Sequence, residues 1–418
     1  MSSASLSMLE SEVRDGINTN FSPLPGSVAV LTGGFDKPYV FGLTMALASK
    51  GIGMDVIGSD AVDCPAMHTT PNLSFLNLRG SKEEAGIVAK IDRVISYYTK
   101  LIKYAASSQS KIFHILWNNK FQYFDRTALM LYYKMLKKKI VFTAHNVNAG
   151  KRDGNDSFLN RLTLRVQYQL SDHIFVHTEK MKQELLQDFG KASEAVTVIP
   201  FGINNSVPNT ALTTRNAKRQ LGIGENQKTV LFFGAILPYK GLEFLVDAFQ
   251  RLAEKDSQYR LVIAGLPRKG AETYVEQIQQ TINRHSSRGQ VIQRIEYVPD
   301  EETELYFKAA DILALPYTHV FQSGVLFLAN SFGLPVVAAN VGSLADDIVP
   351  GKNGFLFTPK DSDDLARALE QYFKSDLFLS LEASRAQIRD AASVRHSWDT
   401  VGDMTQHVYA ELLRETRQ

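Results

Sequence analysis

The chain is predicted to be an α/β protein built from two doubly wound, Rossmann-like domains that face each other across a cleft. Its 418 residues exceed what one hydrophobic core usually organises. Short β-branched runs alternate with helically spaced segments through both halves. Between the halves, the stretch Asn204 to Thr214, rich in Asn and Thr and holding Pro208, breaks the rhythm as a linker does.

In the first half the strand-length runs are Val28 to Leu31, Asp55 to Ile57, Ile112 to Ile115, Lys139 to Thr143, His173 to Val176 and Val196 to Ile199. Helical spacing lies between them, as in Tyr39 to Ser49 and in Leu129, Met130, Tyr133 and Leu136. A strand–helix–strand repeat implies a mostly parallel sheet, because parallel neighbours need a crossover and such crossovers are right-handed. After the linker the alternation restarts with Thr229 to Phe233, Arg260 to Ala264, Ile292 to Tyr297, Ile312 to Leu315 and Pro335 to Ala339. The expected division is 1–205 and 206–399. Open parallel sheets bind ligands beyond the carboxyl ends of their strands, so the gap between two of them is the expected site.

Hydrophobic residues make up 44% and charged residues 22%, ordinary values that exclude disordered, collagen-like and disulfide-scaffold classes. Lys+Arg 46 against Asp+Glu 44 leaves a net charge of +2, which gives no electrostatic case for a nucleic-acid partner. The single cysteine, Cys64, can form neither an internal disulfide nor a metal cluster, so a reducing, cytoplasmic setting is expected. Met1 to Gly26 carries Glu10, Glu12, Arg14 and Asp15 without an apolar core, and no run of about 18 apolar residues occurs, so neither export nor membrane spanning is expected.

Four segments carry candidate chemistry. Thr32-Gly33-Gly34-Phe35 ends the first strand just before a helix, where paired glycines let backbone N–H groups approach an anion; a plain tight turn is the alternative. The spacing is not GxGxxG, which weighs against a dinucleotide dehydrogenase. Ala144-His145-Asn146 follows a strand and sets an imidazole and an amide at the sheet edge, to bond a sugar hydroxyl or to pack in a loop. Phe233-Gly234 leads to Tyr239-Lys240-Gly241 and an amphipathic helix, so that Lys240 either neutralises a diphosphate or is a solvated surface lysine. Gln322-Ser323-Gly324-Val325 opens another helix and offers a hydroxyl and backbone donors to phosphate, or simply caps the helix.

Taken together, the Lys240-Gly241 loop, the Ser323-Gly324 helix start and the stretch from Gly342-Ser343-Leu344 to Gly351-Lys352-Asn353-Gly354-Phe355 resemble glycosyltransferase family 4. The likeness covers nearly the whole chain and is strongest from Phe232 to Phe357. It implies the GT-B architecture and a retaining transfer of a hexose-like unit from a nucleoside diphosphate sugar to a saccharide or lipid-linked saccharide, as in polysaccharide assembly. By the same resemblance Lys240 grips the donor diphosphate with Ser323, Gly324 and Val325, Gly33 and Gly34 close from the other domain, and Gly234 belongs to the donor loop. Tyr297 and Val298 match the nucleobase position, His145 lies near the transferred sugar, and Arg268 could add positive charge. A C-terminal helix at about 400–418 is expected to cross back onto the first domain.

Two departures stand out. The family's paired glutamates are replaced by Val320 and Leu328, with Gln322 a possible stand-in for the first, and the usual arginine before the loop lysine is absent from Ala235-Ile236-Leu237. A front-face mechanism still works without those groups, because the donor phosphate itself takes the acceptor proton. No Asp-x-Asp metal motif follows a strand, so metal independence and no cofactor are expected. On the acceptor side, Trp117 and Asn118, with Asn146, mix stacking surface and amides. The helix expected to end at Lys134 to Lys139, with Lys151 and Arg152, could lie against anionic lipid at the inner face of a membrane or be a solvated helix end. The rival functions are a non-catalytic sugar-nucleotide-binding or partner subunit, motivated by Val320 and Leu328, and a nucleotide-sugar epimerase, for which no carboxylate pair is found.

Overall fold

The structure, a computed structural model, describes residues 27–34, 36–80, 87–152, 156–203, 207–320 and 322–415. The leader expectation for Met1 to Gly26, the 205/206 division, Phe35, Phe321 and residues 416–418 lie outside the described residues. Thirteen strands form two sheets. The first contains β1 (Val28–Leu31), β2 (Met54–Gly58), β3 (Leu73–Asn77), β4 (Ile112–Ile115), β5 (Lys139–Thr143), β6 (His173–Val176) and β7 (Val196–Val198). The second contains β8 (Lys228–Phe233), β9 (Tyr259–Ala264), β10 (Val291–Arg294), β11 (Ile312–Leu315), β12 (Val336–Ala339) and β13 (Gly354–Phe357). Among the helices are α1 (Lys37–Ser49), α2 (Ile87–Ser107), α3 (Met130–Met135), α4 (Phe158–Leu170), α5 (Leu242–Lys255), α6 (Gly324–Ser331) and α7 (Trp398–Glu415).

All pairings are parallel, in the orders β3-β2-β1-β4-β5-β6-β7 and β10-β9-β8-β11-β12-β13. Each sheet therefore reverses its winding once, between β1 and β4 and between β8 and β11, and a crevice opens beyond the carboxyl ends at each reversal. Both faces of each sheet are covered, which is why the strands are nearly continuous apolar runs. Val28 and Val30 join one buried cluster and Ala29 and Leu31 the other, while Phe232 and Leu231 divide the same way in the second sheet.

Three expectations are corrected. Strands β3 and β13 were not predicted; both lie at sheet edges, and β3 alternates half-buried and exposed residues rather than running apolar. The run Ile292 to Tyr297 is strand only as far as Arg294. The basic stretch Lys134 to Lys139 is a helix end only in its first residues: α3 stops at Met135, Lys137 takes φ 58° and Lys139 opens β5.

Helix α7 returns to the first sheet and packs on α1. Val401, Val408, Tyr409 and Leu412 share a buried cluster with Val28 and Val30, and the Tyr409 hydroxyl lies 2.6 Å from Nδ1 of His114. Trp398 anchors the crossing. Its Nε1 donates to the Ile203 carbonyl at 2.8 Å. Its ring occupies the space a side chain would need at Gly42 or Gly202, where an added Cβ would fall 2.0 and 2.2 Å from ring carbons. Beside it, Phe201 of the connecting segment stacks on Phe327 of α6 at 4.8 Å, joining the two lobes.

Candidate active site

Residues from both switch points converge on a cleft of about 330 Å³. From the second lobe, β8 runs through Gly234 into a single 3-10 turn, Pro238–Lys240, and then α5. Gly241 sits at φ 65°, and a Cβ there would lie 2.0 Å from the Pro316 carbonyl oxygen, so the turn closes against the loop after β11 only because the residue is glycine. Thr318 secures the same pair of loops by donating its backbone N–H to the Tyr239 carbonyl at 2.8 Å. The result presents Lys240 to the cleft. Its side chain is buried, Nζ stands 5.0 Å from the Tyr317 ring centroid, and no carboxylate pairs with it among the described residues. A buried cation lacking a counter-charge is a strong demand for an anion.

Opposite Lys240, the first turn of α6 opens into the cleft. Ser323 is its N-cap yet makes no side-chain capping bond; its Oγ lies 3.3 Å from the Tyr317 hydroxyl. Gly324 has open space where a Cβ would stand, so the helix amides are approachable. Gln322 contributes a buried Oε1 with no partner among the described residues. Val320 and Leu328 also line the cleft and are both buried and apolar.

The first-lobe wall differs in kind. Asp36, the N-cap of α1, accepts from the Tyr39 N–H at 3.2 Å and is the one carboxylate among the described residues lining the cleft. It keeps contact with solvent, but the surrounding protein raises its carboxyl above the usual range, and the Tyr39 amide draws it back. Tyr39 is buried with its hydroxyl unpartnered among the described residues, and its ring meets His145 edge-on at 4.6 Å and Trp398 at 5.2 Å. His145 stacks flat on Trp117 at 4.0 Å, with Nδ1 3.1 Å from Nε2 of His177. Burial, then the neighbouring imidazoles His177 and His114, holds His145 well below the ordinary histidine range; burial takes His177 down to about 4. Both rings are neutral near pH 7, and Nε2 of His145 is buried and unpartnered among the described residues.

Comparison with known proteins fits this geometry. The family model described as Glycosyltransferase Family 4 matches residues 38–207, and that described as Glycosyl transferases group 1 matches 213–394. The chain belongs to glycosyltransferase family 4. Its facing pair of doubly wound sheets is the GT-B fold. Among relatives, a D-inositol 3-phosphate glycosyltransferase of Corynebacterium aurimucosum is 28% identical over 287 residues, 66% of this chain and 66% of that protein. The enzyme of that name from Corynebacterium glutamicum is 24% identical over 375 residues, 86% and 88% of the two chains. The chain thus spans just under two thirds of the first relative's length. Among solved structures, sucrose-phosphate synthase from Thermosynechococcus elongatus superposes with a TM-score of 0.72 at 17% identity, over 93% of this chain and 100% of the other. HepE of Anabaena, solved in complex with UDP and glucose, gives 0.70 at 19% identity, over 91% and 99%.

Of the residues singled out in the glycosyltransferase sequence, Lys240, Gln322, Ser323, Gly324 and Val325 meet in the cleft. Gly234 stands beside them, with a Cβ position 3.6 Å from Lys240 Nζ. Gly33 and Gly34 adopt φ 61° and 73° just before Asp36, packed against Trp117 and Arg79, and His145 and Trp117 lie one layer behind Tyr39. Asn146 follows His145 in the loop after β5. Asn118 is turned away: its amide exchanges two hydrogen bonds with Gln167, at 2.8 and 3.2 Å, and is spent inside the lobe. Arg268 and Tyr297 are exposed and Val298 is buried, all outside the lining of the cleft.

Sequence reasoning missed Asp36, Tyr39, Phe201, Tyr317 and Trp398, which line the cleft, and Arg79, which bonds the glycine turn beside it. Asp36 had a signal, a capping aspartate two residues before Pro38 at a helix start. Arg79 follows the unpredicted β3 and donates Nη1 to the Gly33 carbonyl, bringing a guanidinium to the glycine turn. Phe201 and Trp398 are brought in by tertiary packing.

Proposed function

We propose that the chain transfers a sugar from a nucleoside diphosphate sugar to a saccharide or lipid-linked saccharide, with retention of anomeric configuration, and that the lobe up to 205 takes the acceptor while 206–399 takes the donor. The observation that carries this reading is the buried Lys240, unpaired among the described residues, directed into the same cleft as the open first turn of α6. A diphosphate satisfies both, through charge on one side and backbone N–H groups on the other. HepE, solved with UDP and glucose, supports a ligand of that chemistry. In transfer, the acceptor hydroxyl oxygen bonds to the anomeric carbon as the bond to the diphosphate oxygen breaks, and the proton passes to the departing phosphate on the same face. Lys240 and the α6 amides stabilise the charge that collects there. Asp36, on the other wall, accepts hydrogen bonds from sugar hydroxyls, and the neutral His145 behind Tyr39 supports that wall without adding charge.

The test is incubation of the purified chain with labelled nucleotide sugars and a panel of saccharide acceptors, following product and anomeric configuration. A second reading has its own support: Val320 and Leu328 give the cleft two apolar side chains where a polar sugar would sit, as in a binding subunit without catalysis. Tight donor binding by calorimetry with no transfer to any acceptor favours that subunit; transfer removes it.

A further inference from the structure

Positive charge is spread unevenly along the chain. Residues 87–170 contain fifteen Lys and Arg against four Asp and no Glu, whereas the whole chain nets only +2, so the remainder is acidic. The same fifth of the chain holds eleven of the sixteen large hydrophobic side chains exposed among the described residues. Met135 is 80% and Phe158 83% exposed, and it is their grouping with nine others in this segment that departs from scattered apolar exposure.

The segments that carry these side chains cover one face of the first sheet, since their inner residues Tyr98, Leu101, Met130, Tyr133, Leu164 and Tyr168 share one buried cluster. On α2, Ile91, Ile95, Tyr98 and Ile102 follow helical spacing along one stripe. Tyr98 stacks on Phe121 at 5.8 Å and meets Phe124 edge-on at 5.4 Å, which joins α2 to the turn after Trp117. The Tyr132 hydroxyl of α3 donates to the Ile102 carbonyl at 3.2 Å, and Arg126 donates to Asn160 of α4 at 2.8 Å. Exposed Lys100, Lys103, Lys120 and Lys137 stand on the same segments. The Lys134 to Lys139 run is mostly committed elsewhere: Lys134 pairs with Asp172, Lys139 with Glu415, and Lys138 donates to the carbonyls of Ser108 and Ser110.

We propose that this face docks on the headgroup layer of an anionic bilayer. Aromatic and aliphatic tips set among lysines are what inserts at that depth, and an excess of basic residues confined to one part of an otherwise acidic chain orients it. Pairing with a second copy is disfavoured, because it would bring two strongly basic surfaces together. Phe121 lies four residues beyond Trp117, which stacks on His145 near the cleft, so docking holds the first lobe where a lipid-anchored acceptor can reach it. That consequence rests on the first lobe being the acceptor side.

The experiment is flotation of the full chain with vesicles of phosphatidylcholine, with or without about one third phosphatidylglycerol, at low and high salt. Binding is expected only to the anionic vesicles and should fall with salt. Met135→Ser with Phe158→Ser, or Lys120→Glu with Lys137→Glu, should each weaken it roughly tenfold without changing the thermal midpoint or donor affinity. No flotation with anionic vesicles, flotation indifferent to both pairs, or a dimer in ultracentrifugation that Phe158→Ser dissolves would each overturn the proposal. Transfer to a soluble acceptor is measured alongside: vesicle binding without transfer leaves docking standing and removes the transferase reading, and transfer without vesicle binding does the reverse.

Discussion

The two walls of the cleft occupy equivalent places in two copies of one architecture and are chemically unlike. At the β8/β11 reversal the loops end in a cation, an open helix start and an amide oxygen whose polar demands are unmet among the described residues. At the β1/β4 reversal stands a nest of rings, Tyr39, Trp117, His145 and Phe201, packed on one another, with the Tyr39 hydroxyl and His145 Nε2 buried and unpartnered among the described residues and Asp36 at the rim. The doubly wound sheet supplies a crevice in both lobes; a few loop residues decide whether its wall carries a cation and open helix amides or packed neutral rings.

The largest way to break this contrast is Trp398→Ala, which empties the space between Gly42 and Gly202 and should cost about 3–5 kcal/mol of stability, read by denaturant unfolding. Lys240→Ala should do the opposite, lowering donor affinity in calorimetry by about 2–4 kcal/mol while the thermal midpoint stays put. Unchanged affinity would remove Lys240 from the site. Acid should act mainly on the first lobe. Burial lowers His114 to about 3 and His173 and His177 to about 4, and His396 likewise to about 4, from 6.5. Between pH 6.5 and about 4 the unfolded chain therefore binds more protons on these rings than the folded one, and stability drains as pH falls. Asp125 and Asp347, raised by burial to about 6, oppose this, as do Asp36, Glu184, Asp300 and Asp311, which burial also raises; the histidine shifts are the larger, so Tm should drop by a few degrees across that window in a pH series. The smallest effect sharpens the contrast: Tyr39→Phe removes a hydroxyl unpartnered among the described residues and should change stability by under about 1 kcal/mol, yet slow transfer if that hydroxyl meets a ligand.

Much of this was legible because interior parallel strands are buried on both faces and appear as short apolar runs, so β1, β4, β5 and β11 stand out residue for residue. The edges were not. In β3 the alternation is diluted by exposure, and β13 begins with Gly354, where a Cβ would fall 1.9 Å from the Val336 carbonyl; what looks like turn composition is a demand for close approach. In the site, Lys240 and Ser323 could be found because glycine and helix starts mark loops that meet anions. Asp36, Arg79 and Trp398 could not be joined to them, since that requires knowing that separate crossovers end at one crevice.

The lock between Trp398 and the glycines at 42 and 202 also bears on how the molecule is made. The first sheet is synthesised early, but the cluster over one of its faces lacks Val401, Val408, Tyr409 and Leu412 until the whole second lobe has been translated. The second lobe is contiguous and can fold as it emerges, whereas the earlier one waits with an uncovered apolar face. During synthesis that face, and not the interlobe crevice, is where a chaperone has most to hold.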